Sequence, residues 1–574
     1  MPHGCQISVF TEYHNKTMIM KKTGISMTVI LSAAALFLAV PLAAQQLNIK
    51  KLAVEYDRIL LEQFKPDETG CAALVAKDGQ VIYRKAFGMA DLELDVPMEP
   101  DMVFRIGSIT KQFTAVAILQ LMEQGKLSLQ DEITKYLPDF PMHGHSITIE
   151  HLLTHTSGIK SYTNVPEFGD MIRTDMTPEE VVEKIKPLPM EFAPGTKWNY
   201  NNSGYFLLGY IIEKVSGKKY AEYLKENFFI PLGMTSTLYG DDTKIVKKRA
   251  SGYQPGEKGT VNADFMSMTL PYAAGSIMST VDDLYKWNRA LLEYKLVKKE
   301  SLDKAWTSYK LADGKDTHYG YGWFMSEIHG SSTIEHGGGI NGYLTSSFYL
   351  PEEDVFVALF SNNTGKAPEF TALKLAAATI GKAVPTKEFT LTEEELKKYE
   401  GIYANEEGTE ITILVDEGRL NGVRPGGSRR KMIPIGKDRF IFENSLMYAA
   451  FTRDVTGKVI SVVSDDRGEV ATWTRTDKKV ETKMEKSLPA ELLDKYAGEY
   501  QIEPGFTLTF TCEGDRFFTQ ATGQPRFEIF AESETKFFLK VVDAQVEFVA
   551  DPEGKFDKMI LYQGGQRIEG KRIE

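Results

Sequence analysis

Residues 391–403 (Leu-Thr-Glu-Glu-Glu-Leu-Lys-Lys-Tyr-Glu-Gly-Ile-Tyr) return about 97 positions later as residues 488–500 (Leu-Pro-Ala-Glu-Leu-Leu-Asp-Lys-Tyr-Ala-Gly-Glu-Tyr). Phe451, Asp454, Gly457 and Lys458 keep the same offset to Phe548, Asp551, Gly554 and Lys555. Two matches in one register define a tandem duplication, so the end of the chain must fold as one small unit made twice. Each copy opens with a short helical pattern. Short strands follow, separated by Gly, Asn and Asp turns, which is the text of a small antiparallel barrel or sandwich. The lysine-rich stretch 477–486 divides the copies, giving β domains at 386–480 and 487–574.

Upstream of Pro385 the texture differs. A helical pattern (Leu52, Tyr56, Ile59, Leu60, Phe64) precedes two strand-like runs, Ala72–Ala76 and Val81–Tyr83. Asp78-Gly79 between those runs is a hairpin signal. From Ile106 to Ile380 helical and strand-like stretches alternate with Gly and Pro breaks, predicting one mixed α/β domain over 45–385. At 574 residues the chain is long enough for about three domains.

The first residues read as an address. Lys21 and Lys22 precede an apolar run from Met27 to Val40, and Ala43 and Ala44 follow. This is a signal-peptide pattern over 1–44, with the mature chain starting near Gln45 and Met18 or Met20 the better initiator. It predicts export, in a bacterium to the periplasm, and no later segment is long and apolar enough to span a bilayer. Cys5, Cys71 and Cys512 make neither a disulfide framework nor a metal knuckle. A net charge of −12 without a basic block excludes nucleic acid as a partner.

Three elements carry chemistry. The first is Gly107-Ser108-Ile-Thr-Lys111. Ser-x-x-Lys spacing recurs at Ser157/Lys160, Ser216/Lys219, Ser301/Lys304, Ser428/Lys431 and Ser533/Lys536, so context must separate them. Only Ser108 opens a long apolar helix (Phe113, Val116, Leu119, Leu121) ending at Gly125, and a helix apolar on most faces is central. Residues three apart share a helical face, which brings the Lys111 amine to the Ser108 hydroxyl. Burial lowers a lysine pKa and makes it a base near neutral pH. The second element is Trp198-Asn-Tyr200-Asn-Asn202-Ser-Gly204, read as extended or turn, with Tyr200 and Asn202 facing one cavity. Tyr200 suits proton relay and Asn202 a substrate amide or carbonyl. The third is Glu335-His336-Gly337-Gly338-Gly339, before the strand-like Ser346–Leu350. Its glycines admit a substrate backbone, His336 and Gly338 becoming substrate contacts. The N–H groups of Gly339 and Ser108 are the pair expected to form an oxyanion hole.

Together these elements resemble the serine β-lactamase and penicillin-binding-protein superfamily. The resemblance is closest to the branch of class C β-lactamases, D-aminopeptidases and related esterases, over about residues 50 to 380. The stretches 147–158, Pro194-Gly195, 274–280 and 319–323 resemble signature text of that branch. The resemblance implies an antiparallel central sheet with a helical region, Ser108 as nucleophile between them, Lys111 as its activator, Tyr200 as proton carrier and no cofactor. It also implies that the repeats are lipocalin-like accessory domains that can border the site. His336 departs from the Lys-Thr-Gly usual in β-lactamases and penicillin-binding proteins. A neutral imidazole does not hold a substrate carboxylate as lysine does. The expected substrate is therefore a small molecule or short peptide, an ester or an amide held through its amino end.

An acyltransferase passing the acyl group to an alcohol or amine shares every motif, and an acyl-sensor without turnover would keep Ser108. His151-Leu-Leu-Thr-His155 places two imidazoles on one predicted helical face, but the zincin pattern needs a glutamate where Leu152 stands. No metal site is read there, and hydrogen bonding by helix and loop is the expected use of both rings. Oligomeric state is left open by the sequence.

Overall fold

The computed structural model describes residues 49–573 apart from Glu257, 385–388, 481–484 and Pro504. The leader expected over 1–44 and the boundary at Pro385 lie outside the described residues. Glu55 onward forms one compact unit.

A six-stranded antiparallel sheet organises the first part of this unit. Its strands are β1 (Cys71–Lys77), β2 (Gln80–Phe87), β3 (Phe324–Ile328), β4 (Ser331–Ile340), β5 (Tyr343–Leu350) and β6 (Val355–Ser361), in the order β3-β4-β5-β6-β1-β2. Asp78 and Gly79 both take positive φ, which is the turn their hairpin signal demands. β1 joins its two ends of sequence by pairing with β6 from Cys71↔Ser361 to Lys77↔Val355. β6 is buried at every position and β1 at all but its last. Such near-continuous apolar strands need cover on both faces. Helix α3 (Glu369–Thr379) packs on β5 and β6.

The helical region holds α1 (Thr110–Glu123), which follows a 3₁₀ turn at Gly107–Ile109, and α2 (Asn202–Ser216). Every α1 residue from Thr110 to Leu119 is buried, so the helix lies centrally, as its unpatterned apolar text requires. Asn201 caps α2 by accepting the Gly204 N–H at 2.8 Å, and Gly217 ends it with φ +72°. The segment read as extended therefore turns helical at Asn202: the asparagine pair starts a helix.

Both repeats are closed eight-stranded barrels, from Gly401–Ala404 to Glu469–Arg475 and from Gly498–Glu503 to Gln566–Arg572. They close alike, with Tyr403 opposite Arg475 and Tyr500 opposite Arg572. The Tyr403 hydroxyl donates to the Tyr399 carbonyl, and Tyr500 does the same to Tyr496. Among the described residues Cys71 and Cys512 are both free thiols, and no helix is long and apolar enough to cross a membrane.

Candidate active site

Ser108 sits in the 3₁₀ turn at the head of α1, where Gly107 takes φ +52°. The Lys111 Nζ donates to Ser108 Oγ at 3.1 Å, to Asn202 Oδ1 at 2.9 Å and to the Ala274 carbonyl at 2.9 Å. Lys111 is fully buried, and burial holds its pKa well below the usual lysine range. All three partners are uncharged, so no counter-charge offsets the burial; the neutral amine keeps two N–H donors, and its lone pair then accepts the Ser108 hydroxyl.

The Tyr200 ring lies 4.7 Å from Lys111 Nζ. Its hydroxyl is buried without a hydrogen-bond partner among the described residues, and burial raises its pKa while the nearby Ser108 hydroxyl opposes the rise. Asn202 is committed within the protein: Oδ1 accepts from Lys111 and Nδ2 donates to Thr163 Oγ1 at 3.1 Å. Its observed work is to hold the lysine, and the second Nδ2 hydrogen is not used by either bond.

His151 and His155 do not share a helical face. The helix there spans only Ile149–Leu153, and His155 lies beyond it with φ +60°. His151 completes a capping box, its Nδ1 accepting the Thr148 N–H. His155 is buried against Tyr200, with ring centroids 4.4 Å apart, and its Nδ1 accepts the Asn201 N–H at 3.1 Å. Burial above all holds it neutral. It is a site-shaping residue, and its bond to Asn201 is hydrogen bonding of the kind expected of it.

Strand β4 supplies the third wall. β3 pairs with it only as far as Phe324↔Glu335, so from His336 onward that edge runs beside the Ser108 turn without a strand partner. A Cβ placed on Gly107 would fall 2.9 Å from the Gly339 nitrogen, which shows how closely the two main chains approach. A Cβ on Gly338 would fall 1.9 Å from the Ile106 carbonyl. Gly338 therefore seats β4 on the serine turn against Ile106. Thr345 of β5 reinforces this seat, donating to the same carbonyl at 3.0 Å.

His336 is fully engaged. Its Nδ1–H donates to the Gly337 carbonyl at 2.5 Å, so Nε2 must accept from the Tyr319 hydroxyl at 3.1 Å. Burial above all pushes its pKa down to about 3. Among the described residues, no Lys or Arg lines the cavity beside it. A cavity of about 420 Å³ opens here, lined by Ser108, Tyr200, Phe324, Phe348, Glu335 and Glu369 among others.

The first barrel reaches this strand. At a hairpin tip, Arg467 clamps Glu335 through both carboxylate oxygens (2.8 and 2.5 Å), donates to the Glu327 carbonyl, and lies over the Phe348 ring. Both partners are nearly buried, so removing either leaves the other unpaired.

A serine hydrogen-bonded to a buried lysine, with a second main-chain strand in contact behind it, is the arrangement of an acyl-transferring serine enzyme. The family described as Beta-lactamase matches residues 60–382, more than half of the chain, and the chain belongs to that family. It is thus a serine hydrolase of the β-lactamase and penicillin-binding-protein superfamily. Penicillin-binding protein 4* of Bacillus subtilis (strain 168) is 25% identical over 522 residues, covering 87% of this chain and 94% of the relative. The octameric penicillin-binding protein homologue from Pyrococcus abyssi superposes with a TM-score of 0.54 at 31% identity, covering 74% of this chain and all of that one. The D-amino acid amidase from Ochrobactrum anthropi SV3 shares the fold, with a TM-score of 0.50 at 23% identity over 58% of this chain and 98% of its own. Residues 482–572 match DUF3471, a domain of unknown function.

Proposed function

We propose that this chain hydrolyses small esters or amides through an acyl-enzyme on Ser108. One observation carries the proposal: Ser108 Oγ lies 3.1 Å from the Nζ of a fully buried lysine that has no carboxylate to keep it charged, so the serine O–H donates to the neutral amine. A neutral Lys111 amine takes the Ser108 proton as Oγ attacks the carbonyl carbon. The oxyanion that forms is stabilised by the N–H groups of Ser108 and Gly339. Each such donor is typically worth about 10²–10³ in rate. The proton passes through Tyr200 to the leaving alcohol or amine as its bond to the acyl carbon breaks. Water then adds to the acyl-enzyme by the same route in reverse, and the acid leaves as Oγ regains its proton.

The acyl portion is neutral or carries an amino group. The neutral state and full engagement of His336 support this, as does Glu369 in the cavity wall, Glu335 being neutralised by Arg467. That polar wall favours water over an apolar acceptor. In the same way, we take the 1–44 leader to be removed on export, and the mass of the secreted chain tests a start near Gln45.

The experiment is intact-protein mass spectrometry with a p-nitrophenyl ester, a D-amino-acid amide and a β-lactam, on the wild type and Ser108→Ala. The expected result is an adduct or turnover with the first two that disappears in Ser108→Ala, with kcat lower by at least about 10³-fold. An adduct persisting in Ser108→Ala would overturn the assignment. Turnover of the β-lactam alone would overturn the substrate class.

A further inference from the structure

The barrels share a frame but differ inside. An eight-stranded barrel has an interior that side chains just fill or that holds one small ligand. The second barrel is filled: Phe510 packs on Phe517, Phe548 and Tyr500, with ring centroids 5.0–5.9 Å apart. In the first barrel, at the same register, Ile413 replaces Phe510, Gly422 replaces Thr519 and Ala449 replaces Val546. These three exchanges remove volume, while Trp473 in place of Gly570, Met447 in place of Ala544 and Phe442 in place of Leu539 add it; between them a cavity of about 280 Å³ remains in the first barrel. That is room for roughly nine water-sized groups at about 30 Å³ each, but the wall is apolar: Ile413, Met432, Phe442, Met447, Val462 and Trp473.

The mouth has its own chemistry. Arg424 lies 5.8 Å from the Trp473 ring centroid, and Arg430 lies 5.0 Å from that of Phe442. Both are exposed, and neither pairs with a carboxylate among the described residues. Arg430 is opposite Gly422 across the strands, which sets both guanidinium groups at one rim. Asp466 and Ser464 also line the cavity, so the rim carries two positive charges against one negative. In the second barrel the corresponding positions are Ala521 and Phe527. The arginines therefore accompany the cavity and are absent where it is filled. The loop that carries Arg424 is also held in place: the Gly427 carbonyl accepts from Asp543 N–H, and Arg429 N–H donates to the Val541 carbonyl.

We propose that the first barrel is a binding site for a single-chain amphiphile with an anionic head. Its hydrocarbon chain fills the apolar cavity, and its head group sits between Arg424 and Arg430. Hydrocarbon burial drives the association, and the planar guanidinium forks select a carboxylate or another oxyanion.

The test uses the full-length protein carrying Ser108→Ala, so that the candidate active site turns over nothing. Dodecanoate, dodecanol and dodecyltrimethylammonium are titrated by calorimetry, with tryptophan emission followed in parallel and Trp473→Phe as the control. We expect one dodecanoate per chain, an emission change lost in Trp473→Phe, and at least tenfold weaker binding of the other two. The exposed pair Arg424→Glu/Arg430→Glu should weaken dodecanoate tenfold or more while leaving dodecanol unchanged. Ala449→Leu, which occupies the cavity, should abolish binding of both. Absence of saturable dodecanoate binding would overturn the proposal. So would binding that survives both the charge reversal and the filled cavity, since the amphiphile would then sit elsewhere.

Discussion

The two barrels hold the same closing ladder, yet their hairpin tips dock on different things. In the first, Arg467-Gly468 meets the active-site sheet, with Arg467 on Glu335 and a Cβ on Gly468 only 2.9 Å from Glu327. In the second, the same register holds Gly564-Gly565, and Gly564 meets Gly426 of the first barrel. One tip thus brings a charged fork to a site, while the other brings bare backbone to a neighbouring barrel. The frame repeats because its tyrosines and arginines bond main chain. Arg475 reaches the carbonyls of Lys398, Glu400 and Val459, and Arg572 reaches those of Lys495, Ala497 and Phe556. Carbonyls are present whatever the surrounding side chains, so interior and tips are free to diverge.

The largest expected effect breaks the difference between the tips. Arg467→Ala leaves Glu335 nearly buried without its counter-ion, the Thr333 hydroxyl its remaining donor, a loss of about 3–5 kcal/mol for broken buried pairs. Denaturant unfolding should show that loss, and kcat/KM should fall because Glu335 immediately precedes His336. Gln563→Ala in the second barrel removes only a 3.3 Å bond to the Gly426 carbonyl. It should cost less than about 1 kcal/mol and leave kcat/KM unchanged. Equal effects from the two substitutions would show that the tips are interchangeable.

Acid should separate the domain under the first barrel from both barrels. His336 has a folded pKa of about 3, below its ordinary 6.5. Between those values the unfolded chain binds a proton that the folded site refuses, so stability falls as pH drops from about 6.5 towards about 3. The loss is a few kcal/mol, at about 1.4 kcal/mol per unit. No histidine follows His336, so the barrels lack this term. Hydrogen exchange from pH 7 to 4 should show the sheet around β4 losing protection before either barrel does.

Exchanging one interior position sharpens the contrast between filled and hollow. Val546 and Ala449 occupy equivalent, fully buried sites. Val546→Ala should cost about 2 kcal/mol in the packed barrel. Ala449→Val should cost nothing and stabilise by up to about 1 kcal/mol, since it adds a buried group where space exists. Thermal melts of the two variants read this directly, and a destabilising Ala449→Val would mean that the first barrel is already full.

Much of this was legible before any coordinates. The duplication, the Asp78-Gly79 hairpin, the buried helix behind Ser108 and the proximity of Lys111 follow from local periodicity and spacing. The duplication is a match at an offset of about 97 residues; the other signals live within one element or one turn. What the sequence does not show lies where a residue's partner is distant in sequence. Asn202 holds Lys111 and Thr163; Gly338 meets Ile106; and His155, read as sharing a helical face with His151, lies past the helix and packs on Tyr200. None of these contacts has a period or a spacing to read.

The chain's own order of residues dictates two copies of one barrel, a central buried helix with a serine at its head, and a lysine one turn along it. Burial patterns and turn residues encode these, and they act over a few positions. Only the folded molecule decides that Lys111 has no counter-charge, that His336 has both nitrogens occupied, and that Arg467 crosses from a barrel to Glu335. It also decides that one barrel encloses space where its twin is solid. These are properties of what surrounds a group on all sides, and pKa, satisfaction and packing depend on that surrounding rather than on chain neighbours.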